Sequence, residues 1–160
     1  VTTHFESTVD IDAEPAAVWA ILVDLGKYGE WNTFCFQIES SLQVGTPVLL
    51  HVRMGKRMRY VQKDFVRVVE PGSRICWDMK FGWGIMHAAR WQTIEPLGNG
   101  RCRYRTWERF NGFLAPIIGA VFGGDVQRGF DRMANDLKQR AESLALPSAV
   151  PPAQHASHVR

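Results

Sequence analysis

Between positions 101 and 110 the sequence alternates in character. A strand's period of two puts Cys102, Tyr104, Thr106, Glu108 and Phe110 on one face and Arg101, Arg103, Arg105, Trp107 and Arg109 on the other. The arginines mark the second face as the solvated one. Glu108 therefore points inward, where an unpaired carboxylate is costly and either finds a partner or keeps its proton to higher pH. Arg90 is the natural partner if its strand pairs with this one through the Gly98–Gly100 turn, which also puts Gln92 and Ile94 on the inner face. Such a pair reads either as a structural salt bridge near a strand end or as a pair that orients a ligand. Because Tyr104 shares the face of Glu108, the candidates for acid–base chemistry are Glu108, Arg90 and Tyr104.

Other chemistries lack their signatures. His51 and His87 fall on the outer faces of their strands, and neither has a cysteine or histidine at ligand spacing, so no metal is expected. There is no GxSxG, no phosphate-cradling glycine loop and no dinucleotide fingerprint, and no cofactor is expected. Cys35, Cys76 and Cys102 are far apart with no CxxC pair, which suits a reducing compartment. With no apolar leader and no run long enough to span a bilayer, the expected location is the cytoplasm. The net charge of +3 is spread among acids, which argues against nucleic acid. The two densest basic groups are Arg53, Lys56, Arg57, Arg59 and Lys63, and Arg101, Arg103, Arg105 and Arg109. They read as exposed sheet faces or, alternatively, as a docking surface for a membrane or protein.

The elements that must hold these residues follow from periodicity. Residues His4 to Asp12 alternate as a strand, and Asp12 to Pro15 form an acidic helix start before Val18, Trp19, Ile21 and Leu22 at helical spacing. A second short helix can begin at Asp24. Strand-like segments then run over Phe34–Glu39, Thr46–Met54, Arg59–Val69, Arg74–Phe81, Met86–Ile94 and Arg101–Phe110, separated by glycine turns, as in an antiparallel meander. From Phe113, apolar residues recur every three or four positions to Leu137. The first half of that helix is apolar nearly all round, which predicts burial on more than one side. Gly119, Gly123, Gly124 and Gly129 predict a bend or a fresh start near Asp125. From Pro147 onward periodicity ends, so 147–160 reads as a disordered tail.

The result is an α+β domain: seven antiparallel strands, two short helices after the first strand, and one long helix to cover the sheet. A curved sheet meets a single helix along one line only, which leaves room for a hollow. With six Trp and nine Phe, the chain has the aromatic surface to line one. The faces assigned to the wall are Val48, Leu50, Val52 and Met54, and Ile75, Trp77, Met79 and Phe81. Phe34, Phe36, Phe110, Phe113, Ile117, Val121 and Phe122, with Arg90 and Glu108, complete the lining.

The stretch PAAVWAILVDLGKYGEWN, from Pro15 to Asn32, resembles the opening motif of the START-like superfamily. EPGSRICW from Glu70 and EPLGNGRCRYRTWERFNGFLAPIIG from Glu95 resemble the middle turn and closing hairpin of its bacterial polyketide cyclase-like branch. The resemblance implies a helix-grip domain over 1–146 with an internal apolar cavity. It also implies a lipid-, quinone- or polyketide-like ligand or, alternatively, a cyclase or dehydratase working in that cavity. Similar members place a histidine on the penultimate strand where Arg90 stands here, so that histidine's role does not carry over. The motifs specify fold rather than chemistry, and a non-catalytic binding protein, with a homodimer as a further option, is the reading the residues favour.

Overall fold

The computed structural model describes residues 2–55, 58–83 and 85–145; the expected tail lies outside the described residues. The chain forms β1 (Thr2–Ile11), α1 (Pro15–Val23), a 3-10 turn (Leu25–Lys27) and α2 (Tyr28–Trp31). There follow β2 (Cys35–Glu39), β3 (Pro47–Met54), β4 (Met58–Glu70), β5 (Arg74–Phe81), β6 (Met86–Gly98), β7 (Arg101–Asn111) and α3 (Ala115–Ala145). Strands β2 to β7 pair in sequence, each antiparallel to the next, and β1 closes on β7 to give a seven-stranded sheet in the order β1-β7-β6-β5-β4-β3-β2. The curled sheet grips α3, with α1 and α2 at one end: this is the helix-grip architecture.

Local chemistry explains the joints. Pro15 occupies the first turn of α1, where its missing N–H leaves no bond unmade, and Val18 and Leu22 turn inward. The Tyr28 hydroxyl donates to the Leu22 carbonyl at 2.8 Å, locking α2 against α1. Gly98, Asn99 and Gly100 all adopt positive φ, a run that only glycine and asparagine tolerate well, and the turn they make sets the register of β6 on β7. Three salt bridges tie the outer faces of β1 and β7 together: Asp12–Arg101, Asp10–Arg103 and Glu6–Arg105. Most of the second basic group is thus neutralised by β1.

Helix α3 departs from two expectations. It runs unbroken for 31 residues and does not restart at Asp125. Three of its glycines instead let neighbours approach: a Cβ at Gly119 would meet Thr3, one at Gly123 would meet Phe5, and one at Gly129 would strike the Phe34 ring. Burial is also reversed along its length. Phe130, Met133, Ala134, Leu137 and Ala141 are buried in the second half, whereas Ile117 and Val121 in the first half are 53% and 62% exposed. The sheet covers the helix only on one side there, so an apolar sequence did not bring burial.

Candidate functional site

Between the sheet and the middle of α3 lies a cavity of about 280 Å³. Leu50, Val52 and Met54 of β3 form one wall with Met58, Tyr60 and Gln62 of β4. Met79 of β5 and Met86 of β6 lie beyond them, and Phe34, Ile118, Phe122, Val126 and Phe130 close the other side. Arg90, Glu108 and Phe110 complete the lining, and among these residues only Arg90 and Glu108 carry charge. Met58 and Phe122, each more than a third exposed, mark the mouth.

The register places Trp77, Arg90 and Glu108 in one row across β5, β6 and β7. Period two then points all three toward the interior. Arg90 and Glu108 are 5% and 7% exposed. The expected ion pair between them is not formed. Arg90 instead donates to the Thr106 hydroxyl at 3.4 Å and to the Met133 sulfur at 2.9 Å, and its guanidinium lies 4.4 Å from the centre of the Phe130 ring. Glu108 has no hydrogen-bond partner among the described residues. Its burial pushes the carboxyl up from 4.5 to about 7, against a lowering pull from the Arg90 charge and with a further push from Asp64. Asp64, buried on β4 beside Gln62 and accepting from its amide at 2.9 Å, is raised by the same desolvation to about 6.

The other sequence candidates fall in different places. Tyr104 is fully buried away from the cavity lining, donates its hydroxyl to Gln92 Oε1 at 2.6 Å, and is raised by burial to about 12. Trp77 is buried in the main core behind the cavity, not in its wall. Phe36 faces outward, stacked under Arg53 and edge-on to His51, because a bulge in β2 between Cys35 and Gln37 breaks the alternation that would have turned it in. Phe81 is exposed at the end of β5, Phe113 just before α3, and Ile117 and Val121 on the first half of α3. Met58, Tyr60, Gln62, Met86, Ile118, Val126 and Phe130 line the cavity without having been singled out for it. Of these, Ile118, Val126 and Phe130 were legible as part of the helix stripe.

His51 pairs with Glu39, and His87 with Asp78, which also accepts from Arg67 at 2.5 Å. All are on the outer face. Among the described residues no group of three His, Cys, Asp or Glu could hold a metal, and no helix is long and apolar enough to cross a membrane.

Fold and site together define a helix-grip protein with a largely apolar hollow between sheet and helix. Residues 2–142 match the family model for polyketide cyclase / dehydrase and lipid transport, and the chain belongs to that family. Among solved structures, it is similar to the Zhui aromatase/cyclase from Streptomyces sp. R1128 at 18% identity and a TM-score of 0.75, covering 93% of this chain and 99% of that one. A norcoclaurine synthase from Thalictrum flavum gives 12% identity and a TM-score of 0.69, covering 91% of this chain and 98% of that one. A START superfamily protein from Mycobacterium smegmatis gives 17% and 0.66, covering 88% and 98%. At these identities the likeness is one of fold. No curated protein sequence matches the chain.

Proposed function

We propose that the protein binds a compact hydrophobic or aromatic molecule in the cavity between the sheet and α3, with Arg90 and Glu108 engaging a polar group on it. The observation that carries this reading is the contrast within the lining: apolar walls and two buried charged side chains that do not satisfy each other. A ligand oxygen could take the guanidinium hydrogens left free by Thr106 and Met133 and accept from a protonated Glu108. The volume of about 280 Å³ lies just below the usual range for small-molecule sites, about 300–1,000 Å³, which favours one or two rings over a long acyl chain. Three buried free cysteines suit a reducing, cytoplasmic setting. Native mass spectrometry of protein purified from its own host, followed by release and identification of the passenger, tests the proposal. A stoichiometric apolar or aromatic molecule is expected, and a protein that is empty and takes up no aromatic probe would overturn it.

A second reading, a cyclase or dehydratase, has one specific observation in its favour. A carboxyl raised to about 7 can both give and take a proton near neutrality, and it sits beside a cation that would steady a developing enolate. The Streptomyces neighbour is an aromatase/cyclase and the Thalictrum neighbour a norcoclaurine synthase, which supports testing this reading. Once a passenger is known, a Glu108→Gln protein that turns it over as fast as the wild type would exclude Glu108 as the acid–base group.

A further inference from the structure

The end of the domain that carries the cavity mouth is apolar beyond what the interior needs. Three stretches of chain meet there: the β3–β4 turn, the β5–β6 turn, and the end of β7 with the start of α3. The Leu114 amide donates to the Ile85 carbonyl at 3.2 Å, joining the second stretch to the third. Trp83, at the tip of the β5–β6 turn, is 104% exposed, and Phe113 is 81% exposed. Ile117 and Val121 continue the patch along α3. A Trp and a Phe this exposed forgo most of the contact area such rings usually bury.

Apart from Asp125, which lies against Gly55 at the β3–β4 turn and is paired with Arg128, the charges around this patch are basic. Segments 51–63, 79–90 and 109–124 contain arginine and lysine but no aspartate or glutamate, although the chain holds 16 acids. Arg59, Lys80 and Arg109 are exposed on the outer face near the strand ends, and none forms an ion pair among the described residues. Arg103 and Arg105, further along β7, are each paired to an acid of β1, and Arg101 to Asp12 just after it. Among the described residues, three exposed basic side chains without an ion pair thus lie at the end that carries the exposed aromatics, Arg59 being packed over Phe36.

We propose that this end of the domain docks on the surface of an anionic lipid bilayer. Trp83 and Phe113 enter the boundary between headgroups and acyl chains, and Arg59, Lys80 and Arg109 meet the headgroup phosphates. A bilayer of this kind satisfies both features at once, because aromatic rings favour the interfacial layer and each basic side chain near an anionic surface adds about 1 kcal/mol. The inference is independent of what the cavity holds.

Flotation with vesicles tests it, using phosphatidylcholine alone and equal parts phosphatidylcholine and phosphatidylglycerol, at low and high salt. The full chain is expected to float with the anionic vesicles, to release at high salt, and to ignore the neutral ones. A Trp83→Ser, Phe113→Ser double variant and a Lys80→Glu, Arg109→Glu double variant should each bind roughly tenfold more weakly or worse. All four side chains point to solvent, and circular dichroism checks that the variants fold. No flotation with anionic vesicles at low salt would overturn the proposal, as would full binding by the Trp83, Phe113 variant. A concentration-dependent dimer in sedimentation, abolished by the same variant, would assign the patch to a second copy of the chain and overturn it as well.

Discussion

Arg90 and Glu108 stand directly opposite each other on neighbouring strands and line the same cavity, yet no ion pair joins them. The guanidinium is turned toward Thr106, Met133 and the Phe130 ring, leaving the buried Glu108 carboxyl without a hydrogen-bond partner among the described residues. Two charged groups have been brought into an apolar space and each held by something other than the other. That arrangement is costly unless a third molecule completes it.

Replacing Arg90 separates its two effects. Arg90→Met keeps a long side chain in the same space and gives up a cation–π contact of about 2 kcal/mol, while removing the cost of a buried charge, so stability should change little in either direction. The Arg90 charge is what pulls the Glu108 carboxyl down, so the variant should hold its Glu108 proton to higher pH than the wild type. Carboxyl titration followed by NMR measures this. An unchanged Glu108 titration would mean that the two groups do not feel each other.

Stability should fall as pH rises through the acid range. The folded protein keeps the Glu108 proton up to about 7 while an unfolded chain loses it near 4.5, so between those values the folded state binds more protons and stability declines, by up to about 3 kcal/mol in all. Asp64, raised to about 6, acts in the same direction. Glu6 acts oppositely: the Arg105 bond lowers it to about 2, so its contribution is present above 4.5 and fades only in stronger acid. Urea unfolding of wild type and Glu108→Gln across pH 4 to 8 isolates the one group. The variant should match the wild type at the acid end and exceed it at the alkaline end, and a constant difference would rule the mechanism out.

Two glycines of α3 should respond to alanine with opposite signs. Gly129 lies under the Phe34 ring, closer than any Cβ can sit, and Phe34 is itself buried edge-on to Phe130. Gly129→Ala should cost about 1–3 kcal/mol despite its better helix propensity. Gly124 faces only the flexible end of Arg128 and should gain about 0.5–1 kcal/mol. Chemical denaturation of the two variants decides it; a stabilised Gly129→Ala would show that Phe34 is free to move.

The three cysteines should be silent in the native protein. Cys35, Cys76 and Cys102 are buried, and desolvation pushes the Cys35 thiol up to about 11 and that of Cys76 to about 12. At pH 8 the thiolate fraction of Cys35 is then about one in a thousand. Alkylation with iodoacetamide should modify none of them before urea is added and all three after it. Rapid native labelling of Cys35 would mean that β2 opens readily.

Much of this architecture could be read from the chain, because alternation and turn glycines are local. The inward phase of Tyr104, Thr106 and Glu108, the pairing of β6 with β7, and the wall of Leu50, Val52 and Met54 all followed from period two. The failures share a cause as well. Phe36 obeyed the alternation until a bulge broke it, and the outward Val61 and Phe65 of β4 blurred the contrast that would have marked Tyr60 and Gln62 as lining. Ile117 and Val121 sit on a true helical stripe, but periodicity says which side of a helix is apolar and nothing about whether the sheet extends far enough to cover it. The absent Arg90–Glu108 bond depended on Met133 and Phe130, which approach from a helix more than twenty residues further on.

The pairing of β1 with β7 also bears on how the chain acquires its shape. Thr2 lies opposite Asn111 and Ile11 opposite Cys102, so a strand at one end of the domain waits for its only partner until roughly a hundred further residues have been made. The meander from β2 to β7 needs only short closures and can form ahead of it. During synthesis β1 therefore stays unpaired, with its acids lacking their arginines, until β7 has been made, and the pairing of the two completes the sheet.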